Sequence, residues 1–207
     1  MDENNLDSRD VDIKKLAKES MQNMDLFIKL KNGIRSGDKT LRTNSLNVLL
    51  TLSENNAEFL YHHWDYFHEM LKSGNVYDQY GAIYLLASLT SVDTENKFES
   101  LFDEYYGIME GEKIMPASHV VLNSAKIISN KPELRSAIIK KLINTDETFK
   151  GMQKDLLKVY AIETLRKIKP EGEEKVIIEN FIRSQLNNSS SKTRSAAKCY
   201  IDRCGPN

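Results

Sequence analysis

The chain has 207 residues, of which 40% are apolar, 29% charged and 8% aromatic. That is length for one or two domains with a core of their own. Such a composition excludes a disordered chain, two cysteines exclude a disulfide-built scaffold, and an apolar run no longer than 82–87 excludes a membrane-spanning helix of roughly 20 residues. The formal net charge of −1 conceals a polar molecule: residues 1–104 carry 11 Lys+Arg against 18 Asp+Glu, and residues 105–207 carry 18 against 12.

The opening MDENNLDSRD is acidic where a signal peptide is basic and then apolar, so a cytoplasmic protein is expected. Val11, Ile13, Leu16 and Ala17 follow at helical spacing and predict a capping helix. Residues 1–22 are therefore expected to form a polar tail and a cap, with 23–207 as one repeat domain. Beyond residue 22 the chain alternates between amphipathic stretches and turns. Pro116, Pro132, Pro170 and Pro206, with most of the glycines, fall between apolar-periodic segments or at their starts. No Val/Ile/Thr-rich run alternates with period two for more than a few residues, which excludes a sheet.

Four segments align on a small or apolar residue followed by apolar positions at i, i+3 and i+6. They are Ser45-Leu46-Leu49-Leu52, Ala82-Ile83-Leu86-Leu89, Val121-Leu122-Ala125-Ile128 and Ala161-Ile162-Leu165-Ile168, offset by 37, 39 and 40 residues. A shorter copy, Ala196-Ala197-Tyr200, lies in the last segment. Before each copy stands another amphipathic stretch: 24–34, 57–71, 95–109, 133–143 and 173–186. Each unit is thus two helices joined by a turn, and neither helix can bury its apolar face without the next unit.

IRSGDKTLRTNSLNVLLTL at 34–52, LKSGNVYDQYGAIYLLASL at 71–89 and SSSKTRSAAKCY at 189–200 resemble HEAT and armadillo-type repeats. Each has a short turn, a polar or basic residue, small residues and then apolar ones. The family's turn aspartate and helix arginine appear as Asp38 and Arg42, with Gln79 and Ser118 in the arginine's place in the next two units. The resemblance spans residues 23–204. It implies an all-α fold, a right-handed α-solenoid of about five two-helix HEAT-like repeats with an N-terminal capping helix. Tetratricopeptide and ankyrin units, at about 34 and 33 residues, fit the offsets less well.

Catalytic and metal-binding patterns are not found. His62, His63 and His68 lack the i, i+4 pairing that lets two imidazoles reach one ion, and Trp64 falls in the core stripe Leu60, Trp64, Phe67, Leu71. Gly37 to Thr40 lacks the first glycine and the strand of a phosphate loop. Cys199 and Cys204 lie on different faces of one helix, which disfavours a disulfide. No cofactor, metal or enzymatic activity is expected.

The repeat register supplies the candidate site instead. One column contains Asn47, Tyr84, Asn123 and Glu163, and the turn before it Thr43, Tyr80, His119 and Val159. In an α-solenoid the second helices line the concave surface, so these residues form a candidate partner-binding groove, with Tyr80 and Tyr84 as its aromatic anchors. A basic patch of Lys154, Lys158, Arg166, Lys167 and Lys198 follows. The expected function is a protein-interaction scaffold whose partner is a protein or peptide, an acidic one suiting the basic half. The alternative is nucleic-acid binding of the kind known for HEAT-like DNA glycosylases. Charge of opposite sign in the two halves also allows self-association.

Overall fold

The computed structural model describes residues 6–8 and 10–204. Residues 1–5, with the acidic start of the chain, and Gly205 and Pro206, expected to follow the last helix, lie outside the described residues, as does the side chain of Cys204. Thirteen α-helices and four short 3-10 turns account for the regular structure among the described residues. The fold is all-α, and the chain divides into two compact units, Met1–Glu95 and Asn96–Asn207.

The first unit contains α1 (Ile13–Ser20), α2 (Met24–Gly33), α3 (Lys39–Asn55), α4 (Ala57–Tyr61), α5 (Trp64–Leu71) and α6 (Val76–Leu89). Four of these begin on a side-chain cap. Oxygens of Asp12, Asn23, Asp38 and Asn75 accept the N–H of Lys15, Leu26, Leu41 and Tyr77 at 2.8–3.1 Å, each worth about 1 kcal/mol. The stretch at 57–71, expected as one helix, is two. It breaks at His62 and His63 so that Leu60 and Tyr61 on one side of the bend, and Trp64, Phe67, Met70 and Leu71 on the other, all reach the core. Phe27 fixes the bend from α2, its ring 5.1 Å from that of Phe59 and 4.6 Å from that of His63.

Helices α2, α1 and α6 all pack against α3. At the α2–α3 crossing there is no room for a side chain, because a Cβ on Gly33 would stand 2.1 Å from Ser45 Oγ. Polar ties hold the layers in register. The Arg35 guanidinium pairs with Asp78, which is 3% exposed, the Tyr66 hydroxyl donates to Lys31 O, and the buried Tyr61 hydroxyl donates to Asp93 at 2.6 Å. Leu6 is buried, and the Asn44 amide donates to the carbonyl oxygens of Leu6 and Ser8, at 2.8 Å each.

The second unit contains α7 (Lys97–Gly107), α8 (Ile114–Asn130), α9 (Arg135–Ile143), α10 (Thr145–Thr148), α11 (Lys154–Leu165), α12 (Gly172–Ser184) and α13 (Ser191–Cys204). Pro116 occupies the first turn of α8, where its missing N–H has no intrahelical acceptor to lose. The order is again of hairpins, and the second helices stack, α8 on α11 and α11 on α13. Ala117, Val121, Ala161 and Ala197, all fully buried, allow the close approach. Two threonines tie the layers by donating across them, Thr164 Oγ1 to Val121 O and Thr193 Oγ1 to Asp155 O. First helices pair through a two-pronged contact of Arg135 with Glu174. This stacking within each unit is that of an α-solenoid.

The second-helix arginine serves the same purpose twice. Arg42 donates to the carbonyls of Ser36 and Gly37, six and five residues back, and Arg194 to those of Asn188 and Ser189 at the same separations. Ser190, not an aspartate, caps α13 by accepting from Thr193 N. Gln79, which replaces the arginine in α6, likewise donates to a turn carbonyl, that of Leu71.

Two outcomes follow from this packing. Gly33→Ala raises helix propensity but inserts a methyl group against Ser45, and overpacking of that kind costs about 1–3 kcal/mol. We expect a lower urea midpoint for Gly33→Ala and partial recovery on adding Ser45→Gly, the two substitutions being coupled. Burial lowers the pKa of His119, and burial followed by the Lys31 and His62 charges lowers that of His63. Both imidazoles therefore resist protonation in the fold. Their share of stability is full above the unfolded value of 6.5 and is lost as pH falls below it. The urea midpoint should drop between about pH 7 and about pH 5, and less so in a chain carrying His63→Gln and His119→Gln.

Candidate functional site

In the first unit, Thr43 and Asn47 stand one turn apart on α3 and both are exposed. Tyr80 and Tyr84 stand one turn apart on the neighbouring α6, half-buried, with ring centroids 4.9 Å apart at 52°. The structure adds a third ring. Tyr77, three residues before Tyr80 and so on the same side of α6, is 54% exposed, and the Arg42 guanidinium of α3 lies 4.0 Å from its centroid. A cation over an exposed ring contributes about 0.5–1 kcal/mol, enough to favour one ring position. The repeat register did not select Tyr77 because it falls one turn before the aligned column. Its signal was the i, i+3, i+7 spacing of Tyr77, Tyr80 and Tyr84.

In the second unit the register residues separate. His119 is half-buried on α8, and Asn123, one turn on, is 5% exposed with its amide donating back to His119 O. Asn123 thus offers no surface to a partner. Glu163 is exposed on α11. It lines, with Val159, Ile162 and Arg166, one wall of a cleft of about 440 Å³ whose other wall is α13, through Ser191, Lys192, Ser195, Ala196 and Cys199. The repeat register reached Val159 and Glu163 and the basic patch Arg166, whereas on α13 the fifth copy, Ala196-Ala197-Tyr200, is too short for its register to mark Ser191, Ser195 and Cys199 as a facing wall.

The basic patch is likewise not one surface. Lys158 is 6% exposed, and its ammonium reaches Asp146 at 2.8 Å and Asp155 at 3.2 Å. Burial pulls that ammonium down, but the hydrogen bonds to Asp146 and Asp155 outweigh it and raise its pKa. Asp155 is held below the usual carboxylate range, chiefly by the Asn188 amide and also by Lys158. Lys158 is therefore a pin between α10, α11 and the turn before α13. Lys154 donates to Asp146 O. Lys167 and Lys198 are exposed, and Arg166 is half-buried in the cleft.

Among the described residues, no group of three or more His, Cys, Asp or Glu side chains is arranged to hold a metal ion, and no helix is long and apolar enough to cross a membrane. Trp64 is 3% exposed, in the core as its spacing implies, and Cys199 is a free thiol. No family model and no curated protein matches the chain. Among solved structures, a designed armadillo repeat protein is similar to it, at 11% sequence identity and a TM-score of 0.48, over 97% of this chain and 96% of that one.

Proposed function

We propose that the chain is a non-enzymatic protein-interaction module of the cytoplasm that receives its partner on the concave face lined by its second helices. The observation that carries this reading is the tyrosine ridge of α6, Tyr77, Tyr80 and Tyr84, beside the exposed Thr43 and Asn47 of α3. Tyrosine supplies large contact area with few rotatable bonds and a polar tip, so it is enriched where partners bind. Here ring-on-ring contact and the Arg42 cation already restrict the rings, so less side-chain entropy remains to be lost on binding. The flanking Thr43 and Asn47 supply the polar rim that such an apolar centre has in interfaces.

A photoreactive amino acid placed at position 84 should yield one discrete protein adduct in cells, whereas the same group at Glu58, exposed on α4, should not. Tyr80→Ala with Tyr84→Ala should weaken capture of that partner by about 100-fold, the effect of two anchors worth 1–2 kcal/mol each. A partner that crosslinks equally from both positions, or binds the double variant undiminished, would place the interface elsewhere.

The nucleic-acid reading is weakened by the burial of Lys158 against two carboxylates, which removes one of the five basic positions. Duplex DNA at about 50 mM salt, where phosphate contacts are strongest, should show no change in fluorescence anisotropy on adding the protein. Micromolar binding that falls steeply with salt would restore that alternative.

A further inference from the structure

Most arginines among the described residues have an oxygen acceptor, and Arg166, inside a cavity, does not. Arg35, Arg42, Arg135 and Arg194 each donate to a carboxylate or carbonyl oxygen at 2.7–3.0 Å, and Arg183 approaches Glu179. Arg203 is exposed at the end of α13. Arg166 is half-buried in the α11–α13 cleft, and its hydrogen-bond partner among the described residues is the Cys199 sulfur at 3.8 Å. Sulfur is a weak acceptor, and a guanidinium has five N–H donors in a planar fork. Among the described residues no protein oxygen therefore answers the donors of this half-buried side chain.

The rest of the cleft says what that oxygen belongs to. Lys192 adds a second cation, an ammonium, from the exposed first turn of α13, and neither it nor Arg166 makes an ion pair among the described residues. Glu163 stands on the same wall as Arg166, so the charged lining is two cations and one anion. The net charge of +1 is matched by one carboxylate. A phosphate ester, at −1.5 to −2, exceeds that +1 and would be repelled by Glu163 more strongly than a carboxylate is. Between these groups lie Val159, Ile162 and Ala196, an apolar floor, and the hydroxyls of Ser191 and Ser195. A floor of that kind suits aliphatic side chains flanking the carboxylate, which a polyphosphate backbone lacks. The volume of about 440 Å³ lies toward the small end of ligand sites, about 300–1,000 Å³.

We propose that the cleft between α11 and α13 is a subsite for an acidic peptide segment of the partner protein, its Asp or Glu carboxylate bridging Arg166 and Lys192. The proposal rests on the protein-interaction reading and deepens it, yet it concerns helices other than the tyrosine ridge, so the two can fail separately. A bidentate carboxylate on Arg166 gives a short, charge-assisted pair in a partly desolvated place, and Glu163 selects the monoanion over the dianion.

The probe is the monoanion acetyl-Leu-Asp-Gln-Leu-amide, titrated into the 15N-labelled chain, with the neutral acetyl-Leu-Asn-Gln-Leu-amide and acetyl-Leu-phosphoSer-Gln-Leu-amide as comparisons. The acidic peptide should shift the amide signals of residues 159–166 and 191–199 and slow alkylation of Cys199 in the cleft. Binding should be about tenfold weaker for the amide peptide, for Arg166→Gln and, independently of any effect on the half-buried arginine's surroundings, for the exposed Lys192→Gln. Glu163→Gln should bring the phosphorylated analogue up to the acidic peptide's affinity. The proposal is overturned by equal binding of the Asn-Gln peptide, by unchanged binding in both cation variants, by tighter binding of the phosphorylated analogue to the unsubstituted chain, or by no shift in the cleft at about 1 mM peptide. Loss of the cleft response together with retained crosslinking at position 84 would remove this subsite alone. Loss of crosslinking with the cleft response retained would move the main interface.

Discussion

A helical hairpin of this length has more apolar surface than its two helices can hide from each other, and the next hairpin must take the remainder. That constraint is visible in the second helices. In α11, Ala161, Ile162, Leu157 and Leu165 are all buried, although the helix has α8 on one side and α13 on the other. Backbones can approach this closely only where the contact residues are small, and Gly33 against Ser45, Ala117, Ala161 and Ala197 meet that need. The tyrosine ridge of α6 and the α11–α13 cleft are surfaces that this packing leaves to solvent.

The polar contacts between layers have a different purpose from the apolar ones. Thr164 to Val121 O, Thr193 to Asp155 O and Tyr61 to Asp93 each join elements 32 to 43 residues apart. Alanines slide over one another at little cost, whereas a buried hydroxyl that loses its acceptor leaves an unsatisfied group worth about 1–3 kcal/mol. These bonds fix how far one helix is shifted along the next. The same reasoning covers Lys158, whose two carboxylates come from α10 and from its own helix.

The hairpin order was legible in the sequence because apolar spacing and turn residues are local properties. The 37-, 39- and 40-residue offsets are carried by α3, α6, α8 and α11. What was not legible depends on partners far away in the chain. Nothing in the local pattern marks His62 and His63 as a break, since neither proline nor glycine is there; the break exists because Phe27, over 30 residues earlier, packs on it. Asn123 and Lys158 have the composition of surface residues, and their burial follows from a neighbouring carbonyl and from Asp146 and Asp155. The repeat of Arg42 as Arg194 escaped a reading tied to the aspartate before it, because a serine caps the last helix equally well.

Asn44 has a bearing on how α3 is approached. Its amide grips two carbonyls of the chain's own leading segment, whose Leu6 is sunk beside it. That stretch of α3 is therefore roofed in part by main chain, and the surface around the exposed Thr43 and Asn47 has a backbone edge in place of a side-chain one.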